Sequence, residues 1–331
     1  MGAHFVGLER LMALSEFRRF PLRRMKRWNL PVGGAIVVRA FESLDRNGQL
    51  SDICADPQRL YEWWWPYKAI RRKFLRIQRP CVSVIVATRN NEATIERSLR
   101  SLTRQTLNNL EIIVVDDAST DGSLGIIREI ARADHRIRVI TNARQLGTGA
   151  SRNRGLQAAT GDYVTFQDGD DFSAPSRLEM QCDALQKFPG KKLVLCNYVR
   201  VNEDGARLQI NDRRVMKCII SMMFPRREVL DRVGFFLESN LSEDADFYER
   251  IKIAFGKGCE LLVFRTLYEA LFRNNSSFFS EVDIQNAGER VVRFTRKAEA
   301  AASWEAMQQR HAKMRKGEID VYVSPARLVT F

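Results

Sequence analysis

Three carboxylates within four residues are the feature of this sequence best suited to chemistry. Asp168, Asp170 and Asp171 surround Gly169 directly after Asp162–Phe166, whose β-branched and aromatic residues indicate a buried strand. Open α/β sheets bind ligands at the carboxyl ends of their strands. Side chains two apart in an extended chain point the same way, so Asp168 and Asp170 can converge on a divalent cation that relieves their repulsion. The alternative is a plain Asp-Gly turn in which Asp171 caps the next helix.

The elements that must position these carboxylates alternate along the chain. Apolar strands are predicted at Val82–Ala87, Leu110–Val115, Ile137–Thr141 and Asp162–Phe166, with amphipathic helices between them over residues 94–107, 123–133 and 149–159. This order predicts an α/β fold with a doubly wound, mostly parallel sheet, similar to a Rossmann fold. Further strands are predicted at 193–201, 208–210, 261–263 and 268–273, with helices ending at Gly234 and opening at Ser242.

Charge divides the chain into parts. Residues 1–80 contain 16 Lys and Arg against 7 Asp and Glu. This excess of 16 − 7 = 9 positive charges is most of the net charge of +13. Their basic clusters stand beside Phe and Trp, as in a helix that binds an anionic membrane surface. The alternative is a helical subdomain whose tryptophans pack on the main domain. We expect residues 81–280 to form the main domain and residues 281–331 a helical tail.

Cysteine usage and the N-terminus indicate the compartment. The six cysteines show no CxxC spacing, which favours reduced thiols over a disulfide framework. Glu9, Arg10 and Glu16 interrupt any apolar region of a signal peptide. We therefore expect a cytoplasmic protein, held peripherally at the inner face of the plasma membrane if residues 1–80 bind that surface.

Five motifs occur in an order that resembles a family 2 glycosyltransferase, an inverting enzyme with the GT-A nucleotide-sugar fold. They are Val82–Asn90 with Glu92, Glu111–Ser123, Gly147–Tyr163, Asp168–Asp171, and Glu243-Asp244 with Arg250. The resemblance covers residues 80–275. It implies a nucleotide-sugar-binding part over residues 81–190 and an acceptor part over residues 191–280, acting on a glycan or lipid-linked acceptor in polysaccharide, glycolipid or cell-envelope glycan synthesis.

The resemblance also implies roles on the donor side. Asp170, helped by Asp168, would hold Mn²⁺ or Mg²⁺, and Asp168 would also touch the ribose or donor sugar. Asp117 and the backbone around Ala87 would bind uracil, which implies a UDP-sugar and a hexosyltransferase-type reaction. Arg152 would contact phosphate, with a charged helix surface as its alternative.

On the acceptor side the resemblance makes Asp244 the catalytic base. Glu243, Asp246 and Arg273 are further acceptor-side candidates. The alternative for Asp244 is a carboxylate in the first turn of a helix, favoured by the helix dipole.

Two other functions compete with this interpretation. Gly147-Thr-Gly149 opens a helix about twenty residues before Asp168, as in an NAD(P)-dependent oxidoreductase, but Arg152 replaces the third glycine. A non-catalytic basic binding module would account for the net charge. Carboxylates at two strand ends would repel the phosphates of a nucleic acid, so we expect no nucleic-acid partner.

The membrane interpretation predicts salt-sensitive binding to anionic lipid. Each basic group near such a surface contributes about 1 kcal/mol, so several acting together should retain the protein. In liposome flotation, the full chain should float with anionic vesicles at low salt and leave them at high salt. A chain that never floats with anionic lipid would favour the helical subdomain.

Overall fold

A computed structural model describes residues 80–238, 242–273, 282–288 and 290–325. These residues belong to one unit of the chain, Gln78–Phe331. The predictions for residues 1–79, including the basic helical segment and its membrane contact, lie outside the described residues. In the part of the chain that is described, no helix combines the length and the apolar character that crossing a bilayer requires.

Four parallel strands form the first half of the sheet, in the spatial order 3-2-1-4. They are β1 (Val82–Thr88), β2 (Leu110–Asp116), β3 (Ile137–Thr141) and β4 (Tyr163–Asp168). The connecting helices are α1 (Ile95–Thr103), α2 (Ser123–Ala133) and α3 (Thr148–Ala158). Strands β1, β2 and β4 are almost wholly buried, which explains why their sequences are near-continuous apolar runs.

The direction of winding reverses between β1 and β4. Helix α1 lies beside α2, whereas α3 packs against β1 and β2, and right-handed crossovers place α3 on the opposite face of the sheet. Ala87 pairs with Asp168, and Thr88 pairs with Asp116, so three strands end at the same level. This arrangement confirms the predicted doubly wound α/β fold and places Asp168 at the switch point where such folds bind ligands.

The second half of the sheet is mixed. Its strands are β5 (Phe172–Ser173), β6 (Leu193–Val201), β7 (Arg207–Ile210), β8 (Met216–Pro225), β9 (Glu260–Leu271), β10 (Val282–Gly288) and β11 (Val291–Arg296). Strand β8 lies antiparallel between β4 and β6, and β9 runs parallel to β6 and antiparallel to β5. The remaining helices are α4 (Arg177–Lys187), α5 (Arg226–Val233), α6 (Glu243–Phe255) and α7 (Ala298–Arg315), with a 3₁₀ turn at Lys257–Cys259.

Three details differ from the sequence prediction. Strand β8, over Met216–Pro225, was not predicted from the sequence. The two strands predicted around residues 261 and 268 are one strand, because Phe264 and Arg265 bulge out of its pairing with β6. The tail predicted to be helical from about Ala287 begins as the β10–β11 hairpin. Its Val292 packs on β7, and only then does α7 follow.

A row of aromatic rings joins α6 to the sheet. Phe247 on α6 stacks on Phe236 with ring centroids 4.4 Å apart, and Phe236 meets Phe166 of β4 edge-on at 5.1 Å. Asn153 of α3 fixes the same segment, because its side-chain amide both donates to and accepts from the backbone of Phe236, at 3.0 and 2.8 Å. These contacts bring the first turn of α6 towards the carboxyl edge of the sheet.

Candidate functional site

The acidic turn at the end of β4 is fastened to α1 and to the loop after β1. The Gln167 amide donates to the Ser98 hydroxyl at 2.8 Å, and that hydroxyl lies 3.1 Å from the Asp168 carbonyl, to which it donates. Gly169 has no room for a side chain, because a Cβ there would overlap the Thr88 hydroxyl and lie 2.8 Å from the Asn91 amide. The glycine is therefore required by close packing rather than by turn geometry.

Each carboxylate of the turn is bound by a different element. Asp168 accepts from Arg152 of α3 at 2.8 Å, Asp170 pairs with Arg273 at 3.1 Å, and Asp171 accepts the backbone N–H of Leu271 at 2.9 Å. The turn thereby joins the first half of the sheet, β1 to β4, to the end of β9.

Burial and mutual repulsion shift the titration of the turn. Burial raises the pKa of Asp170, the negative charge of Asp168 raises it further, and Arg273 opposes both. Burial also raises the pKa of Asp171 well above its usual range, and the charges of Asp170 and Asp168 add to this effect. The site therefore holds more negative charge than its own cations neutralise, which is the electrostatic condition that a divalent cation relieves.

Arg152 is buried and bridges two carboxylates. Its two amino groups donate to Asp168 and to Glu243, both at 2.8 Å, and the guanidinium lies 5.7 Å from the ring centre of Phe236. Burial alone would lower the pKa of Arg152, but the charges of Asp168, Glu243 and Asp244 raise it instead. The interpretation of Arg152 as a charge on the helix surface is therefore wrong, while its contact with phosphate stays a prediction.

Glu243 and Asp244 begin α6 beside this bridge. Asp244 is partly exposed and accepts the backbone N–H of Ala245 at 2.7 Å. Burial raises the pKa of Asp244, opposed by the charge of Arg152, and the pKa of Glu243 is raised for the same reasons. Ser242, just before them, has a strained φ of 55°. Glu243 is paired with Arg152, whereas Asp244 forms no ion pair with another residue in the described ranges.

Asp246 lies elsewhere. It is 1% exposed, accepts from Arg250 at 2.7 Å, and its other oxygen lies 2.9 Å from His311 of α7. The arginine and histidine bonds lower the pKa of Asp246 although burial alone would raise it. The acceptor-side assignment of Asp246 is therefore wrong, because this carboxylate fastens the C-terminal helix to α6.

Arg273 is also placed differently from its acceptor-side assignment. Its guanidinium lies on the acidic turn, against Asp170 and the side-chain oxygen of Asn91. The guanidinium is thus a neighbour of the donor-side carboxylates.

The base pocket was predicted at the ends of β1 and β2. Ala87 is partly exposed between its neighbours. Asp117 is 5% exposed and accepts from the Asn142 amide at 2.6 Å and from the backbone N–H groups of Leu146 and Gly147 at 2.8 and 2.9 Å. Asp117 therefore anchors the loop before α3, and its contact with uracil stays a prediction.

Asp116 has a free acceptor where Asp117 does not. One of its oxygens accepts the Ser119 N–H at 3.2 Å, while Oδ1 is buried and has no hydrogen-bond partner within the described part of the chain. The next turn is strained, because Ala118 has a φ of 55°. The doubled Asp in the sequence was the signal for Asp116, but nothing in the sequence distinguished it from its neighbour.

Tyr268 was not anticipated from the sequence. Its ring is 1% exposed, and its hydroxyl accepts the backbone N–H of Asp168 at 3.2 Å. The same hydroxyl bonds the carboxylate of Asp171 and lowers the pKa of that group against the effect of burial. Arg177 lies over the ring at 5.4 Å. The tyrosine thus fixes the acidic turn through Asp168 and Asp171. No local sequence pattern in β9 indicates this role.

The donor set suits a cation that a phosphate ligand completes. Within the described ranges, no cluster of three His, Cys, Asp or Glu could hold a metal by itself. Asp168 pairs with Arg152 through Oδ1, and Asp170 pairs with Arg273 through Oδ2. Mg²⁺ and similar ions are commonly held by one or two carboxylates together with substrate phosphates and water. The residues therefore fit such an ion only together with a phosphorylated ligand.

The sequence is similar to those of known proteins. Residues 83–272 match the family described as Glycosyl transferase family 2. EpsJ of Bacillus subtilis (strain 168), named an uncharacterized glycosyltransferase, is 47% identical over 125 residues, which are 38% of this chain and 36% of EpsJ. An uncharacterized glycosyltransferase of Haemophilus influenzae is 44% identical over 108 residues, or 33% of each chain. The chain spans less than half the length of these curated relatives.

The fold is shared with a solved structure. A crystal structure of S. aureus TarS in complex with UDP-GlcNAc is 24% identical to this chain, covers 60% of each chain and gives a TM-score of 0.50. The GT-A fold expected from the motifs is confirmed.

The salt bridges of Arg152 predict that substitutions of two arginines of α3 have very different effects on the free energy of unfolding. Arg152→Met should lower the free energy of unfolding by about 3 kcal/mol, because it leaves the partly buried Asp168 and Glu243 without their cation. Arg154→Met, two residues further on, removes only bonds to Thr141 and Asn142 and should cost about 1 kcal/mol. Denaturant unfolding of the full chain measures both. Equal losses would show that the bridge contributes nothing special to stability.

Proposed function

The chain belongs to glycosyl transferase family 2, as its five motifs predicted, and from this premise we propose that it transfers a sugar from a UDP-sugar to a hydroxyl group. The reaction is hexosyltransferase-type, depends on Mn²⁺ or Mg²⁺, and inverts the anomeric carbon. The acceptor is a growing glycan or a lipid-linked glycan of polysaccharide, glycolipid or cell-envelope synthesis.

One observation carries this proposal. Arg152 lies 2.8 Å from both Asp168 of the acidic turn and Glu243 of the first turn of α6. A single arginine therefore links a donor-side carboxylate to the segment that carries Asp244. The link lies at the edge of the sheet where the fold binds ligands. Transfer of a group between two substrates requires this closeness.

The donor is bound by the ends of the first, second and fourth strands. In this proposal the backbone at Ala87 and the carboxylates of Asp116 and Asp117 face the base, and Asp168 and Asp170 face the diphosphate. A bound divalent cation supplies neutralisation of the negative charge that the departing diphosphate gains. Asp168 and Asp170 hold that ion and orient the donor.

Asp244 removes the proton from the attacking hydroxyl. Burial raises its pKa, so in its ionised form the carboxylate is a stronger base than that of an ordinary Asp. Its position in the first turn of α6 suits attack from the side opposite the departing diphosphate, which gives a single displacement with inversion. Glu243 is bound to Arg152 and positions the turn.

The competing functions explain the site less well. In a dinucleotide-binding oxidoreductase the first amides of α3 would bind pyrophosphate, but the Gly147 N–H donates to Asp117. Asp168, which would bind a ribose there, is paired with Arg152. A basic binding module gives no reason for a buried arginine between carboxylates.

The central experiment separates donor binding from proton removal. Asp244→Asn should reduce sugar transfer by about two to four orders of magnitude, because it removes the proton acceptor but keeps its size. Binding of UDP with Mn²⁺ should barely change. Asp170→Asn should instead abolish metal-dependent UDP binding. Transfer rates with a panel of nucleotide-sugars, together with calorimetry, measure both effects.

The same enzyme should show a pH dependence set by Asp244. The base works only when ionised, and burial raises its pKa. The acid limb of kcat/KM should therefore lie above the ordinary pKa of Asp, with activity lost as the pH falls through it.

Near wild-type transfer by Asp244→Asn would move the role to Glu243. Equal UDP affinity with and without metal, in the wild type and in Asp170→Asn, would exclude the metal site.

The base pocket predicts different roles for two neighbouring carboxylates. Asp116→Asn should reduce the preference for UDP over GDP and ADP, because the buried free oxygen is the acceptor available to the uracil imide. Asp117→Asn should weaken the binding of all three nucleotides alike, because it removes the carboxylate that holds the loop before α3. Calorimetry with the three diphosphates decides. Tighter binding of GDP than UDP by the wild type would contradict the uridine assignment.

The location of the enzyme follows from the same proposal. We propose a cytoplasmic location, which the expected reduced cysteines favour. The basic, aromatic-rich residues 1–80 hold it at the inner face of the plasma membrane, where lipid-linked acceptors are found.

A further inference from the structure

Arg273 occupies the carboxylate that the proposed cation needs. Its Nη2 lies 3.1 Å from Asp170 Oδ2 and also donates to the side-chain oxygen of Asn91. Asp170 is the more enclosed of the two proposed cation ligands in the turn, at 17% side-chain exposure against 36% for Asp168. A guanidinium and a divalent cation cannot both neutralise the same enclosed carboxylate at full strength, because each repels the other.

The contact between Arg273 and Asp170 is incomplete. The Nε of Arg273 is buried and has no hydrogen-bond partner among the residues that the structure describes. Such a donor is destabilising until an acceptor reaches it, and a diphosphate offers several charged oxygens at the spacing that a guanidinium fork matches. The present arrangement is therefore one that a phosphorylated ligand can improve.

Arg152 cannot take this part. Its side chain is 5% exposed, and both of its amino groups are bound to carboxylates of separate elements. Arg273 lies just after the end of β9, and its side chain is 19% exposed. Its Nη2 is paired with Asp170, whereas its Nε is buried and has no partner among the described residues. Of these two arginines at the acidic turn, only Arg273 can change partner without breaking the link to α6.

We propose that Arg273 is an exchangeable counter-ion: it neutralises Asp170 in the free enzyme and moves to the diphosphate of the donor when the divalent cation binds Asp170. This inference rests on the proposed function, since it assigns a residue to the diphosphate of that donor. It makes cation and nucleotide binding depend on each other, because the cation displaces Arg273 and the nucleotide receives it. Cation alone should therefore bind weakly.

The test compares two binding constants in the full chain. Arg273→Gln keeps a side-chain amide near Asn91 but removes the charge. Without nucleotide, it should bind Mn²⁺ about tenfold more tightly than the wild type, measured by electron paramagnetic resonance of free Mn²⁺, because the competing cation is gone. With saturating Mn²⁺, it should bind UDP about tenfold more weakly by calorimetry, because the diphosphate has lost its partner.

Two further variants separate exchange from a structural role. Arg273→Lys keeps the charge and should return both constants to within about threefold of the wild type. Arg97→Ala removes an arginine at the same edge that pairs with Glu269 at 2.9 Å and should change neither constant by more than about twofold. A purely structural Arg273 would weaken both ligands together.

The outcomes distinguish this inference from the proposed function. Opposite shifts of the two constants in Arg273→Gln support the exchange. Shifts in the same direction, or no shift in Mn²⁺ binding, overturn it while leaving the proposed function standing. A wild-type chain that binds no UDP with Mn²⁺ would overturn the proposed function and this inference with it.

Discussion

Negative charge concentrated at one edge of a sheet is the constraint on which the rest of the structure depends. Asp168, Asp170 and Asp171 follow β4, and Glu243 and Asp244 approach the same edge from α6. Like charges this close repel each other, so the fold must supply cations or hydrogen-bond donors from elements far apart in sequence. It does so with Arg152 from α3, Arg273 after β9 and the backbone of Leu271.

These bonds are also what assembles the two halves of the domain. Arg152 joins residues 16 and 91 positions away in the chain, and the bond from Leu271 to Asp171 spans 100 positions. The aromatic row from Phe166 through Phe236 to Phe247 packs beside the arginine and keeps it out of water. In such surroundings a salt bridge is strong but its loss is costly, since a carboxylate left alone there is poorly solvated.

The edge of the sheet has unfavourable features that packing elsewhere must offset. Asn90, Ala118 and Ser242 have positive φ values in the loops around the site, and Oδ1 of Asp116 and Nε of Arg273 are buried with no hydrogen-bond partner among the described residues. At an edge that binds ligands, a ligand can offset such strain and satisfy such atoms. The buried strands β1, β2 and β4 supply the rigidity that holds these features in place.

The sequence predicted the parts of this arrangement that depend on local patterns. Apolar runs identified β1 to β4, and the doubled carboxylates identified the ends of β2 and β4, because strand burial and turn chemistry are written in consecutive residues. The roles of Arg152, Asp117 and Tyr268 depend on what lies opposite them in space, which spacing along the chain does not reveal. Strand β9 was divided for a related reason, since a bulge places polar residues inside a strand without ending it.

The most direct test of the whole account is a crystal structure of the full chain with UDP and Mn²⁺, in which anomalous scattering locates the ion. The account predicts the ion in direct contact with a carboxylate oxygen of Asp170 and with the diphosphate, the uracil at the ends of β1 and β2, and Arg152 still between Asp168 and Glu243. An ion bound away from the acidic turn, or a nucleotide bound elsewhere than at the carboxyl edge of the sheet, would contradict it.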